Sequence, residues 1–421
     1  MSDVSGIDVP LRSRGTGRRS DMTLLHAVPA YSRINEEYIY LHLKALMARG
    51  YDCRLVTSRL LGTPGRTLPG LEVHVVPGRE SGGWARQLTR IESKLLRQYR
   101  EFEVGTLALA RPTRDVNAIQ AQFGMSATNF LRAPVPVITS MHGYDGNVAL
   151  RSHREFRRAM QRLSAGDDRV FTFPSRHFAD KVANTLSLAP GQVRVVRNYV
   201  NQDFFPWRAR RFDGGPLRLC CIGRFEGFKD QITLLEAVRQ LRDQGVDVRL
   251  DLVGFGPTQD RLTSFIGIHG LADRVTLHAN LSREGIRDLL YDSHVYVQPS
   301  HVDPQTGAEE SFCIAIMEAL ATGLPVIASD YGALAEIYRP MADAPDGAFR
   351  FFEAGNPEAL ANAIDDSLED YHSPDEARVQ QFIGGFSERS VGEAWYDILT
   401  GLGVIPDGTG VTAPSATDAA V

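Results

Sequence analysis

Lysine is almost missing from this chain, with four against 42 arginines in 421 residues, so a lysine kept beside a motif carries unusual information. Cysteine is scarce too. Cys53, Cys220, Cys221 and Cys313 form no CxxC pair and have no metal-ligand spacing, which argues against a disulfide framework or a zinc site. Cys220 and Cys221 fall within an apolar run, where cysteine acts as a small hydrophobe, and a reducing, cytoplasmic location is expected. No apolar stretch nears the ~18 residues that cross a bilayer. The opening MSDVSGIDVPLRSRGTGRRS has arginines with no apolar segment behind them, so residues 1–20 are expected to be a disordered tail rather than a signal peptide. Also absent are a GxxxxGK phosphate loop, HExxH, a DxD between apolar runs and GxGxxG after the first strand of either half. Phosphate-loop nucleotide binding, metal-dependent hydrolysis and a Rossmann oxidoreductase therefore lack support, and no metal or resident cofactor is expected.

What is present fits two soluble globular units. Hydrophobic residues make up 43% and charged residues 23%, and a chain of this length exceeds one ordinary core. Charge is divided unevenly. Residues 1–200 hold 29 Lys and Arg against 17 Asp and Glu, while the rest hold 17 against 34. The first half thus suits an anionic neighbour such as a phosphorylated acceptor or an acidic membrane surface, and peripheral contact with an anionic inner membrane face is one expectation. Nucleic acid is not expected, because no known module or aromatic interleaving accompanies the charge.

Apolar runs alternate with helix-like segments throughout, which predicts parallel α/β architecture. Strands are expected at Met22–Val28, Cys53–Thr57, Val73–Val76, Ala118–Gln122, Val135–Ser140, Val170–Phe173 and Val193–Val196. After a break at 202–216, rich in Pro, Gly and charge, they resume at Leu217–Ile222, Val248–Val253, Val275–Leu277, Val295–Gln298, Pro325–Ala328 and Ala348–Phe352. A helix is expected at Glu36–Arg49, and others begin near Asp230, Thr258, Ser282, Phe312 and Pro357. The prediction is two doubly wound Rossmann-like domains, 21–201 and 217–388, facing a central cleft. In such sheets ligands bind beyond the carboxyl ends of the strands.

The chemistry-bearing residues fall at those ends. Arg224 and Lys229 follow one strand, and Glu310 and Glu318 bracket a helix start. Two cations and two carboxylates there suit a sugar joined to a nucleoside diphosphate: the cations neutralise pyrophosphate and the carboxylates accept from hydroxyls. Backbone N–H groups at Ser311, Phe312 and Cys313, at that helix start, suit an anion or sugar oxygens. Gly254, in VGFGP, marks a tight turn after a strand. His142 ends a strand before Gly143; it is either a structural histidine or a group that hydrogen-bonds a sugar hydroxyl or steadies developing charge. Tyr144 and Asp145 follow it, and Asp145 either orients it or caps the next helix. The first loop offers Ser32, Arg33 and Asn35 to an acceptor or phosphate, Asn35 also being a fit helix cap. Two basic helical stretches, Trp84–Phe102 and Arg151–Arg162, are either membrane-surface helices or, the stronger reading, solvated outer faces of core helices.

Taken together these residues resemble family 4 retaining glycosyltransferases of the GT-B fold, from about Met22 to Leu402. The R-x4-K pair is similar to Arg224 and Lys229, and the E-x7-E motif to Glu310 and Glu318. LVGFGP, GLADRVTLHANLSREGI and EALATGLPVIASDYGALAEI resemble the donor domain. AYSRINEEYIYLHLKALMARGYDCRLVT and VITSMHGYD resemble the acceptor domain of members that build exopolysaccharides and other surface glycans. The resemblance implies that Arg224 and Lys229 bind the pyrophosphate, Glu318 the ribose, Glu310 the donor sugar, and Asn280 and Leu281 the base. His142 would contact the transferred sugar. The final helix, within 389–404, would cross back onto the first domain, leaving 405–421 as a tail. Three departures stand out. Ser311 replaces a common glycine, Gln120-Ala121-Gln122-Phe123-Gly124 stands where His-Ala-His-Phe-Gly is frequent, and the first loop reads Ser-Arg-Ile-Asn-Glu rather than Ser-Glu-Thr-Phe.

The expected reaction is metal-independent, front-face transfer of a sugar from a UDP- or GDP-linked donor to a glycan, lipid-linked or small-molecule acceptor, making the chain a hexosyltransferase with His142, Glu310, Arg224 and Lys229 at its centre. Two alternatives differ in class. A sugar-nucleotide epimerase of the same architecture would consume donor without acceptor. A non-catalytic partner in glycan assembly would bind no nucleotide sugar.

Overall fold

The computed structural model describes residues 22–31, 37–61, 68–76, 109–212, 214–343, 347–369, 371 and 373–406. Both expected tails, apart from 405 and 406, lie outside these residues, as do the loop residues Ser32, Arg33 and Asn35 and the basic stretch Trp84–Phe102.

Every described strand overlaps an apolar run read from the sequence. The first sheet is wholly parallel, ordered β3-β2-β1-β4-β5-β6-β7. Its strands are β1 (Thr23–Tyr31), β2 (Asp52–Leu60), β3 (Glu72–Val75), β4 (Ala118–Gln122), β5 (Val137–Ser140), β6 (Arg169–Phe173) and β7 (Val193–Val195). The second sheet is ordered β10-β9-β8-β11-β12-β13, also parallel. It contains β8 (Leu217–Ile222), β9 (Val248–Val253), β10 (Val275–His278), β11 (Val295–Gln298), β12 (Val326–Ser329) and β13 (Phe349–Phe352). Helices cover both faces, so central strands such as β4, β5, β11 and β12 are buried at every position. That is why their sequences read as short continuous apolar runs rather than alternating ones.

Two places in the fold position the site. In each sheet the strand order reverses once, between β1 and β4 and between β8 and β11, and loops diverge there to open a crevice. The last helix, Glu388–Gly401, leaves the second lobe and buries Val391, Trp395, Ile398 and Leu399 in the first lobe's core beside Leu43, Leu46 and Cys53. Ser387 caps it, its hydroxyl accepting from the Ser390 N–H at 3.3 Å. The opposite end is fastened by the Tyr51 hydroxyl, which donates to the Val404 carbonyl at 2.9 Å.

The stretch Arg151–Arg162 departs from the single helix expected. A five-residue wide turn at Asp145–Ala149 and a short turn at Leu150–Ser152 precede His153, whose φ of −116° and ψ of 97° are extended. A new helix then runs over Arg154–Ser164. Arg157 bridges the break by donating from Nε to the Leu150 carbonyl at 2.5 Å and from Nη2 to the Arg151 carbonyl at 2.9 Å. Phe156, Ala159, Met160 and Leu163 face the core while Arg154, Arg158 and Arg162 are exposed.

Candidate active site

At the reversal point of the second sheet, β8 delivers Gly223 and Arg224, and β11 delivers the loop from Ser300 to Glu310. Lys229 ends the turn Gly227–Lys229, and Asp230 follows in the left-handed region at φ 47°. The Lys229 ammonium lies 2.5 Å from Glu310 Oε2, and both side chains are largely shielded. Burial pulls the Lys229 ammonium down, but the Glu310 carboxylate outweighs it and holds Lys229 above its ordinary range. Arg224 stands at 59% side-chain exposure with Nη2 2.5 Å from Glu226 Oε1, so it can turn to a ligand at little cost. Gly254 lets the neighbouring strand-end loops nest. Its φ is 154°, and a Cβ there would stand 2.0 Å from the Gly223 carbonyl oxygen.

The first lobe supplies the facing wall. Beyond β5, the His142 ring lies between Tyr38 and Phe123, at centroid distances of 4.8 and 4.9 Å. Its Nε2 donates to Gln122 Oε1 at 2.7 Å, which leaves Nδ1 as an acceptor. Burial, helped by the nearby His42, drives His142 down to about 3, so it is a neutral imidazole at ordinary pH. The two glutamines that replace the frequent histidines thus have evident work. Gln122 fixes His142, while Gln120 Oε1 accepts from His42 Nε2 at 2.5 Å.

Asp145 requires correction. It neither reaches an acceptor nor orients the His142 ring, because it is fully buried. Its carboxylate accepts from the backbone N–H groups of Gly124, His142, Gly143 and Gly146 at 2.9 to 3.1 Å. Desolvation raises its pKa against those four donors. The side chain moulds the backbone that carries His142 and Tyr144.

Between the lobes lies a cavity of about 250 Å³, with His142, Gly143 and Tyr144 on one side and Arg224, Glu310 and Ser311 on the other. The lobes touch across it: the Ser311 hydroxyl donates to the His142 carbonyl at 2.6 Å. Gly143, at φ 142°, makes room, since a Cβ there would come within 3.3 Å of Ser311 Oγ. Arg224, Glu310, Ser311, His142 and Tyr144 are therefore brought together, with Lys229 attached through Glu310.

Other expected residues stand apart. Glu318, on the helix Ile314–Ala321, does not line this cavity. It is partly exposed yet closely surrounded, and desolvation pushes its carboxyl up to about 7 against the pull of Arg283. Arg283 itself is 2.6 Å from Glu37 Oε2, with its guanidinium 3.9 Å from the Phe204 ring centroid. Asn280 is exposed and Leu281 half-buried, just before Ser282 caps the helix Arg283–Asp292. The side chains of Phe312 and Cys313 are buried in the second lobe's core, which is compatible with the backbone N–H role expected of them. Cys313 adopts φ 65° just before the helix. Among the described residues, no cluster of three or more His, Cys, Asp or Glu is placed to hold a metal ion.

Sequence reasoning missed Glu226, Phe228, Asn147, Asp303, Thr306 and Glu309, all of which line the cavity. Asp303 and Thr306 sit in a loop whose fold no local pattern announces.

Two facing Rossmann-like lobes with a charged crevice between them define the GT-B class. Comparison with known proteins gives the family. The description "Glycosyltransferase Family 4" matches residues 36–204 and "Glycosyl transferases group 1" matches 207–381. The chain belongs to these glycosyltransferases. It is 29% identical over 153 residues to a Salmonella typhimurium protein named for colanic acid biosynthesis, covering 36% of this chain and 37% of that one. It is 27% identical over 202 residues to the amylovoran biosynthesis glycosyltransferase AmsK of Erwinia amylovora, covering 48% of each. The chain thus matches about a third to a half of the length of these curated relatives. Among solved structures, Anabaena HepE in complex with UDP-glucose aligns over 90% of this chain and 99% of its own, at a TM-score of 0.67 and 16% identity. A Rickettsia africae glycosyltransferase aligns over 90% and 98%, at 0.66 and 17%. These last two likenesses concern the fold.

Proposed function

We propose that the protein is a retaining hexosyltransferase that takes a sugar from a UDP- or GDP-linked donor to a hydroxyl of a glycan, with no metal. One observation carries the reading: Arg224, the Lys229–Glu310 pair and His142 converge from two lobes on one cavity of sugar size. In the proposed step the bond from the anomeric carbon to the diphosphate oxygen breaks. The acceptor oxygen bonds the same face of that carbon, and its proton passes to the departing phosphate. Arg224 and Lys229 take up the negative charge that grows on the leaving group, as preorganised cations in a shielded site do. Glu310 accepts from sugar hydroxyls, neutral His142 contributes its Nδ1 acceptor to the transferred sugar, and Glu318 accepts from the ribose.

The relatives named for colanic acid and amylovoran biosynthesis support a surface-glycan acceptor. The outward arginines of Arg154–Ser164 favour a lipid-linked one held at an anionic inner membrane face. No described helix is long and apolar enough to cross a membrane. The test is incubation with a panel of UDP- and GDP-sugars, with and without acceptor glycan, read by NMR. Acceptor-dependent product with the donor's anomeric configuration supports the proposal. Inverted product, or donor converted equally without acceptor as an epimerase would do, refutes it.

A further inference from the structure

Two consecutive glutamates in the β11 loop each hold one of the chain's few lysines, and the lysines come from opposite lobes. Glu310 holds Lys229 of its own lobe. Glu309 holds Lys181, from the helix Arg176–Leu186 of the first lobe. The Glu309 carboxylate is only 3% exposed, with His177 Nε2 a further 3.2 Å away. The same short segment is pinned twice more across the cleft. Asn147 Nδ2 donates to the Glu309 carbonyl at 3.2 Å, and Ser311 Oγ donates to the His142 carbonyl. Lys181 also donates to the Gly307 carbonyl at 3.3 Å.

The first lobe's helix is gripped from its other side as well. Glu336, in the helix Gly332–Ala342, accepts from the backbone N–H groups of Arg176 and His177 at 2.9 and 2.6 Å and pairs with Arg197 at 2.9 Å. Separating the lobes by a few ångström would break all these contacts and leave the Glu309 carboxylate without its cationic partner. Opening would also let water reach that carboxylate, so the pair favours the joined arrangement together with its neighbouring contacts. Removing Lys181 while the lobes stay joined would instead strand a shielded charge, which is costly.

We propose that Glu309 is a positioning residue: its pair with Lys181 clamps the lobes, and so holds Glu310 and Ser311 against His142. The clamp makes assembly of the cavity conditional on closure. What the closed cavity is for rests on the transfer reading, but the clamp itself does not.

The experiment compares the full wild-type chain with Glu309→Gln, Lys181→Met, Lys181→Arg and the exchanged pair Lys181→Glu with Glu309→Lys. Small-angle scattering reads lobe separation, and titration with UDP reads binding to the second lobe. Glu309→Gln and Lys181→Met should enlarge the radius of gyration while UDP affinity stays within about threefold, since the proposed UDP contacts lie in one lobe. Turnover of whichever nucleotide sugar proves active should fall about 100-fold in kcat with little change in donor KM, as expected when groups are displaced by about 1 Å. Lys181→Arg and the exchanged pair should restore the compact form. Scattering and kcat unchanged from wild type in both single variants would overturn the proposal, as would enlargement that neither restoring variant reverses. Should the clamp behave as stated while no form binds UDP or GDP, the transfer reading falls and the clamp stands.

Discussion

At 2.5 Å, Lys229 and Glu310 stabilise each other's charge, and Lys229 retains its proton at any pH an assay would use. Lys229→Ala and Glu310→Ala should each lower kcat by on the order of 100- to 1,000-fold while circular dichroism shows the fold intact. Wild-type turnover in both would remove them from the site. Glu318 offers a separate test. Burial pushes its carboxyl up to about 7, whereas a pair of ribose hydroxyls donates more strongly to the ionised form. Nucleotide binding near pH 7 should therefore release protons and tighten as pH rises through 7. Calorimetry in buffers of different ionisation enthalpy measures this, and Glu318→Gln should abolish the buffer dependence. Glu318 also affects folding, with the opposite dependence: its native pKa lies above the ordinary carboxylate value, so its contribution is fully present at low pH and is lost as pH rises through 7.

The elements divide by how much of their cause is local. Helix Glu388–Gly401 and its partner lobe were expected only through the family resemblance. Trp395 is 5% exposed and its ring centroid lies 4.5 Å from that of His42. Trp395→Ala should cost about 3–5 kcal/mol, read as a lower urea midpoint, with loosening of the first lobe. An unchanged midpoint would mean that this helix does not support the lobe. The central strands were legible because parallel strands covered on both faces must be apolar at nearly every position, while edge strands such as β3 and β7 are only half-buried. Arg151–Arg162 misled because helical spacing in Phe156, Ala159, Met160 and Leu163 extends into a segment where His153 is extended and Arg157 caps the broken turn. Asp145 misled for a related reason. An acid after His-Gly-Tyr looks available to a ligand, and only the tertiary fold turns four backbone N–H groups onto it. Arg224, Lys229 and Glu310 were legible because each lies in a loop beyond a strand's carboxyl end, and Glu318 by its spacing from Glu310. Glu309, Asn147 and Asp303 were not, since their role arises only where two lobes meet.

Across the whole molecule, the uneven charge has a structural counterpart in the exposed Arg154, Arg158 and Arg162. If this face meets an anionic membrane, vesicles with about one-third anionic lipid should retain the protein at low salt and release it above about 0.3 M, where screening is within a few ångström. Retention by neutral vesicles, or none by anionic ones, would assign those arginines to solvation alone. The lobes depend on each other through the crossing helix and through the cavity that neither closes alone. On the proposed reading, the shared cavity receives a nucleotide sugar on Arg224, Lys229 and Glu310. Thermal unfolding of the full chain with UDP, GDP and their sugar conjugates, for wild type and Lys229→Ala, tests it most directly. At ~100 times its dissociation constant the true donor should add ~2.7 kcal/mol to the wild type and almost nothing to Lys229→Ala. Equal stabilisation of both proteins, or of neither by any nucleotide, would mean that Lys229 holds no nucleotide sugar there.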